Sequence, residues 1–563
     1  MNRIFTGDNK HICGFVLLFF IIIIQICVIL HFTFERHNLF VDEVWTFNMA
    51  NHYYFPFSFQ STEPYLKTWL PASFWQNSLV ADPNHTFNYD SVFYNQSIDN
   101  HPPFYYIVIH TVCSLFPGKF SRWFGIVPNL VFFVLVQLTF YSIGLKLFKK
   151  KSEALVLCLL YGSCWGTINN VMLIRMYVML TFFALLSYYA HLQLLDNVEN
   201  QDSYKKPLIS IFVFSICGFL THYYYLIYAF YLFSGTVVLL FLRHKKHTIL
   251  QYFLTLLGAL ISCVIINPCI PAQFIGTTGE HGAKTWHYLV QPDFMKRITV
   301  MFRLISQDLI DQKVYLFIFL IAVLFLAKIV LNVLKIHIQD VTDTISAVWE
   351  KESRSFSFSI HFNTIHSGTF LAAVTATAYF LSASKIVPYY EHRYMYIIYP
   401  FIVICLFSVL SGLLQSLTLK RGLALTLTTM IFLGLNIHHY NRKNIKFLDD
   451  SYPKMLATIR KDYSDVNMIT VCNSPNWWPV VNNIFVYQEV PNTLMINESQ
   501  LSEIKQIVKN LPSNPHIFLA YRGFTCKITP REFIKTVNNR TGFAKYRQIH
   551  KSWWGEIYLF SQF

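Results

Sequence analysis

The chain has 563 residues, of which 54% are hydrophobic, 17% aromatic and only 13% charged, a composition that excludes a single water-soluble globule. Its formal charge of +15 does not point to nucleic acid, because Lys and Arg lie in short runs beside apolar segments and no basic recognition motif is present. The charge reads as membrane topology.

Gly14 to Leu30 is long and apolar enough to cross a bilayer, and no small-residue cleavage site follows it, so it is expected to stay as an anchor. About a dozen residues later, "FVDEVWTFNMA" places Asp42 and Glu43 near the outer interface. Taken alone, these carboxylates suit the start of a helix over "EVWTFNMA" as well as they suit chemistry. The outer loop 32–102 ends at "HPPFYYIVIHTVCSLFPG", where about fourteen apolar residues between Pro103 and Pro117 fall short of the roughly twenty that span. A juxtamembrane helix over 103–117 is therefore expected, which leaves Lys149 to Lys151 on the cytoplasmic side.

Further apolar segments at about 123–147, 152–174, 176–195, 207–222, 224–242, 248–268, 313–335, 367–384, 394–414 and 421–440 bring the expected crossings to about eleven. The basic runs at Lys149–Lys151, Arg243–His247 and Lys420–Arg421 agree on one topology, with the N-terminus inside and the C-terminal segment outside. The inner loop 337–366, with its "ESRSFSFS", reads as a solvated connector.

From Asn441 the pattern changes. Helical stretches "PKMLATIRKDY" and "ESQLSEIKQIVKNL" alternate with strand-like "MITVC", "IFVYQ", "HIFLAY" and "EIYLF", and Thr529, Pro530 and Glu532 form a helix start before "REFIKTV". The expected fold class is an all-α polytopic membrane domain over 1–440, with about eleven transmembrane helices plus juxtamembrane helices in the first outer loop, and a C-terminal extracytoplasmic α/β domain over 441–563. Most of the eleven cysteines lie in apolar stretches and act as small hydrophobes, leaving Cys472 and Cys526 as the one candidate disulfide.

The polar residues on the outer side carry the chemical signal. Arg175 and Tyr177 in "IRMY" sit between two crossings, where a guanidinium that cannot discharge needs an anion, a cavity or a route to the headgroups. His222 and Tyr223 occupy another outer turn, and "KIVPYYEHRYMYIIYP" concentrates Glu391, His392, Arg393 and Tyr394 at a helix start. Cationic and aromatic residues beside carboxylates at membrane depth suit a phosphate-bearing lipid substrate. Phosphate would be neutralised by Arg and His, and a carboxylate would take the acceptor's proton. No nucleotide loop is present, so no nucleotide is expected.

In their order, "VDEVW", "NHPPFYYIVIH", "IRMY", "LTHYY" and "EHRYMYIIYP" resemble the GT-C superfamily of polytopic glycosyltransferases, in the bacterial branch related to protein O-mannosyltransferases and lipid A aminoarabinose transferases. That resemblance implies a polyprenyl-phosphate sugar donor, an extracytoplasmic acceptor that is a lipid, glycan or protein, and a place in the bacterial inner membrane. It gives Asp42 the role of catalytic base with Glu43 beside it. His101, Arg175, Tyr177, His222, Tyr223, Arg393 and Tyr394 become the expected donor phosphate and sugar contacts, and His281, Lys284 and His287 fall in a loop suited to a lid or acceptor role. Direct displacement predicts inversion at the sugar. Metal use differs between related branches, so a divalent cation stays open, with Asp42, Glu43, Asp99 and His101 as its candidate ligands if the first loop folds back.

The rival reading is a transporter or flippase of a lipid-linked sugar, which needs polar groups through the whole membrane depth, although no internal repeat is evident. A receptor or assembly protein would explain the tail but not the charged turns. Sequons at Asn84, Asn95, Asn497 and Asn539, all on the expected outer side, are compatible with the alternative of an endoplasmic reticulum membrane.

Overall fold

The computed structural model describes residues 5–56, 65–275, 287–346, 364–417, 420–442, 445–473 and 478–562. Its helical part begins with α1 (Phe5–Glu35) and α2 (Val41–Asn51), continues through α3 (Ala72–Asn77), α4 (Tyr89–Ser97) and α5 (Phe104–Ser114), and then forms a bundle. The bundle helices are α6 (Trp123–Phe148), α7 (Lys151–Ser163), α8 (Trp165–Met172), α9 (Tyr177–Glu199), α10 (Lys205–Thr221), α11 (Tyr225–Leu242) and α12 (Lys246–Ile266). After α13 (Ile270–Ile275) come α14 (Phe294–Ile310), α15 (Val314–Ser346), α16 (Thr364–Ile386), a 3-10 helix over His392–Ile398, α17 (Tyr399–Ser416) and α18 (Arg421–Arg442).

Among the described residues, eight helices are long and apolar enough to cross a membrane, and ten spans result when each of two bent pairs counts as one. The remaining expected crossing, 207–222, is α10, whose 17 residues are fewer than most spans. Expected span 152–174 is bent by 63° between α7 and α8, where Cys164 takes an extended conformation. A 71° bend separates α14 from α15, where Asp311 and Gln312 both have positive φ and end the helix. The helix expected to end near 335 continues to Ser346; 347–363, most of the expected connector, lie outside the described residues.

The expected juxtamembrane helix is α5, eleven residues long, with Tyr105, Tyr106 and Ile109 buried. Polar side chains buried between the helices include two pairs. Gln137 donates to Gln25 (2.9 Å), and Gly162 lets both side chains approach α7 closely. His191 and Tyr252 are joined at 2.7 Å.

The C-terminal region carries a six-stranded sheet in the order β1-β3-β2-β4-β6-β5. Its strands are β1 (Trp69–Pro71), β2 (Met468–Cys472), β3 (Asn492–Asn497), β4 (Ile517–Gly523), β5 (Lys545–Ser552) and β6 (Gly555–Ser561). The central β3, β2 and β4 are parallel, whereas β1 and β6 pair antiparallel on either side. Side chains alternate between two buried faces. Ile469, Val471, Phe518 and Phe560 pack with Phe533 and Val537 of the helix Pro530–Thr541, while Met468, Cys472, Leu519 and Ile557 join the large core shared with the membrane helices. Thr529 and Glu532 cap that helix as expected, at 3.3 Å for the Glu532 amide and 3.0 Å for the Thr529 amide.

Three expectations for this region change. "IFVYQ" is a short helix, Ile484–Tyr487, packed on Trp75 of α3; a short run buried on all sides carries no period that separates helix from strand. Strand β1 comes from the first outer loop, with Trp69 opposite Leu494, so the edge of the C-terminal sheet is supplied by a segment about four hundred residues earlier in the chain. Cys472 and Cys526 are both free and buried, and the Cys526 thiol donates to the Val471 carbonyl (3.2 Å) instead of bridging.

Candidate active site

The turn between α1 and α2 sets two neighbouring carboxylates on different tasks. Glu43 is completely buried, bound by both terminal nitrogens of Arg36, and accepts from the amides of Phe40 (2.7 Å) and Ile174 (2.8 Å). Arg36 also donates to the Met172 carbonyl (3.0 Å). Glu43 thus caps α2 and ties it to the corner between α8 and α9. Its oxygens are occupied by four donors, which suits a structural anchor better than a proton acceptor. Asp42 lies one helical step around, is 7% exposed, and forms an ion pair with Arg393. The Arg393 guanidinium also faces the rings of Phe40 (5.9 Å) and Tyr394 (5.4 Å).

A second cation meets α2 one turn further along, at Thr46. Arg175, 5% exposed, donates to Thr46 Oγ1 (3.1 Å), the Tyr106 hydroxyl (3.1 Å) and the Asp42 carbonyl (3.4 Å). It is buried, so the snorkelling alternative does not apply. Its other terminal nitrogen lies 3.0 Å from His101 Nε2, and His101 Nδ1 lies 2.8 Å from Asp99. A guanidinium can only donate, so Nε2 accepts and Nδ1 carries the proton that Asp99 receives. Burial acts to raise the Asp99 carboxyl, and the His101 contact outweighs it, leaving that carboxyl below its usual range.

Aromatic rings line the space between the two cations. Tyr177 lies 5.5 Å from the His222 ring and 6.2 Å from Tyr396, and Tyr224 lies 5.3 Å from Tyr394. His222 packs 5.8 Å from His101. Burial, with His101 and Arg175 nearby, pushes its imidazole well below the ordinary value, so it is neutral at neutral pH. Tyr223 stands beside His222 and is linked to the neighbouring loop. Its hydroxyl donates to Gln273, which in turn holds the Gln96 and Asp99 carbonyls (2.7 Å each), so it braces the loop that carries Asp99.

His281 and Lys284 lie outside the described residues, and His287 is exposed, 2.7 Å from the Gln291 amide nitrogen. Among the described residues no group of three His, Cys, Asp or Glu could hold a metal ion. The four candidate ligands are instead drawn apart by their partners: Asp42 by Arg393, Glu43 by Arg36, and Asp99 with His101 by Arg175.

A further cluster was not singled out from sequence. Asp308 on α14 is fully buried and receives His392 Nδ1 (2.8 Å), the Tyr399 hydroxyl (2.5 Å) and Lys446 Nζ (2.8 and 3.1 Å to its two oxygens). Gly166 permits this approach, since a Cβ there would lie 2.7 Å from the Asp308 Cβ. Its signal in the sequence is "FRLISQDLI", where Asp308 falls on the same helical face as Met301 and Ile305.

No protein-family model and no curated protein matches the sequence. Solved structures do. ArnT from Cupriavidus metallidurans bound to undecaprenyl phosphate is similar over 97% of this chain and 98% of that one, with 10% identity and a TM-score of 0.50. The same protein in the apo state gives 9% identity, 95% and 97% coverage and a TM-score of 0.49. The likeness to the first is one of fold, and it extends over the membrane helices and the C-terminal α/β region together. The expected architecture, a polytopic helical domain followed by a C-terminal α/β region, is the fold the two chains share.

Proposed function

We propose that this chain is a membrane glycosyltransferase that moves a sugar from a polyprenyl-phosphate donor to an acceptor outside the cytoplasm. The observation that carries the reading is the buried Asp42 carboxylate paired with Arg393 while Arg175 donates to the Asp42 carbonyl and to Thr46 one turn along. One base and two fixed cations, lined by aromatic rings at one end of an apolar bundle, suit a lipid-linked sugar phosphate. A neighbour of the same fold binds undecaprenyl phosphate, which supports the donor class.

In the mechanism, the donor phosphate competes for Arg393 and draws it from Asp42, so the base is freed as the donor arrives. Asp42 then takes the proton of the acceptor nucleophile, whose lone pair forms the new bond to the anomeric carbon. The bond from that carbon to the phosphate oxygen breaks with its electron pair leaving on the phosphate, where Arg175 and Arg393 meet the charge, while His101, engaged by Arg175 and Asp99, orients Arg175. Glu43 positions the turn, and the product sugar is inverted. The N-terminus lies inside and the site faces out, in a bacterial inner membrane.

The test uses purified protein in liposomes with labelled polyprenyl-phosphate sugars. Wild type should release and transfer the sugar, and Asp42→Asn should keep donor binding while kcat falls by about 10²–10⁴-fold. Absence of turnover with any donor in the panel, or a product with retained configuration, removes the direct-displacement reading.

A further inference from the structure

Between α18 and the C-terminal region runs a short non-helical strap, and it crosses the site. Ile445 is buried against Trp165 and Phe32, and the Lys446 amide donates to Asn169 of α8 (2.9 Å). Phe447, at a φ of 60°, stacks on Phe40 with ring centroids 3.9 Å apart. Asn38 donates to the Phe447 carbonyl (2.6 Å) and accepts from the Asp449 amide (3.0 Å). Phe40 is the residue before α2, so the strap holds the turn that carries Asp42.

The same strap reaches the opposite partner of that carboxylate. Lys446 Nζ lies on both oxygens of Asp308, and Asp308 also receives His392, the chain neighbour of Arg393. The 3-10 helix therefore has one residue fixed on Asp308 while the next reaches Asp42. We propose that Lys446 is a positioning residue: held on Asp308 with His392, it sets Arg393 opposite Asp42, and through the strap it couples the C-terminal region to the reacting carboxylate. Its importance for turnover rests on the glycosyltransferase reading; the geometric coupling does not.

Burial pulls the Lys446 ammonium down to about 8, against the raising effect of Asp308. The groups facing it are Asp308 from α14, Glu391 and His392 at the start of the 3-10 helix, Tyr396 within it, whose ring is 5.9 Å away, and Asn169 through the backbone. Losing the ammonium's proton releases its hold on Asp308, so kcat should fall above about pH 8. A merely stabilising ion pair would not place a limb there.

The experiment compares wild type with Lys446→Arg, Lys446→Met and the double variant Lys446→Met with Asp308→Asn, in which no buried carboxylate is left unpaired and folding is protected. Lys446→Met and the double variant should lose about tenfold to a hundredfold in kcat with the donor KM nearly unchanged, and Lys446→Arg should recover activity and carry the alkaline limb upward. In parallel, phenylglyoxal labelling followed by mass spectrometry reads Arg393 directly. Its labelling should rise several-fold in the double variant while Arg36 stays protected. Unchanged Arg393 labelling in a folded double variant, or an alkaline limb that stays in place in Lys446→Arg, overturns the proposal. If wild type transfers no sugar, the glycosyltransferase reading fails, and the labelling still decides the positioning role.

Discussion

Asp42 and Glu43 are adjacent in sequence and unlike in circumstance, because one helical step sends their carboxylates to different neighbours. Glu43 meets Arg36 and the Ile174 amide, and Asp42 meets Arg393. Glu43→Gln leaves the buried Arg36 short of its counter-charge and should cost about 3–5 kcal/mol, read as a lowered unfolding temperature in detergent. Asp42→Asn also leaves a buried guanidinium, Arg393, short of its counter-charge and should lower that temperature too, but less, since Asp42 lacks the backbone donors that Glu43 holds. Turnover in folded protein then separates base from anchor. Arg175→Lys keeps a charge but gives up the fork that reaches Thr46, Tyr106 and His101 together. We expect it to weaken donor binding by roughly tenfold, measurable with labelled polyprenyl phosphate. The sequence makes the pair conspicuous but cannot assign the roles. The assignment depends on Ile174, Arg175 and Arg393, which are brought to this turn only by the folded bundle.

Among the elements, those built from a single long apolar run were legible, since length against bilayer thickness is a one-dimensional test. The juxtamembrane α5 was legible too, through its two flanking prolines and the basic run that follows. Strands β1, β3 and β5 were not. Strand β1 has three residues, β5 is charged, and β3, "NTLMIN", has a short apolar run between Thr493 and Asn497 that no alternation marks; each owes its state to partners supplied elsewhere in the chain. Helix α14 hides its function for a related reason, since Asp308 becomes meaningful only where α8, α14, α17 and the strap converge. Gly166 marks that convergence. Gly166→Ala should push against Tyr399 and Asp308, costing about 1–3 kcal/mol and lowering turnover with it, as thermal unfolding and the liposome assay would report.

At the scale of the whole molecule, the first outer loop and the C-terminal region form one body over the site. Lys67 shows it: its amide donates to Met495 (2.9 Å) and its ammonium pairs with Glu503 (2.7 Å). A chain ending at Arg442 loses β2 to β6 together with the strap. It should be cut by trypsin at Lys67 far faster than the full chain and should show no sugar transfer. Slow cleavage of that truncated chain would mean that the loop folds by itself and that the sheet is an accessory.

The pairing of β1 with β3 also sets an order on biogenesis. Trp69 and Leu494 are about 425 residues apart, so at roughly 5–20 residues per second the ribosome finishes the partner strand roughly twenty to eighty seconds after the first. During that interval the edge at Trp69–Pro71 has no partner strand. A newly made chain must keep this unpaired edge from wrong pairings until after the last apolar helix, α18, has been made, so the two ends of the sheet can join only once the helical part is complete.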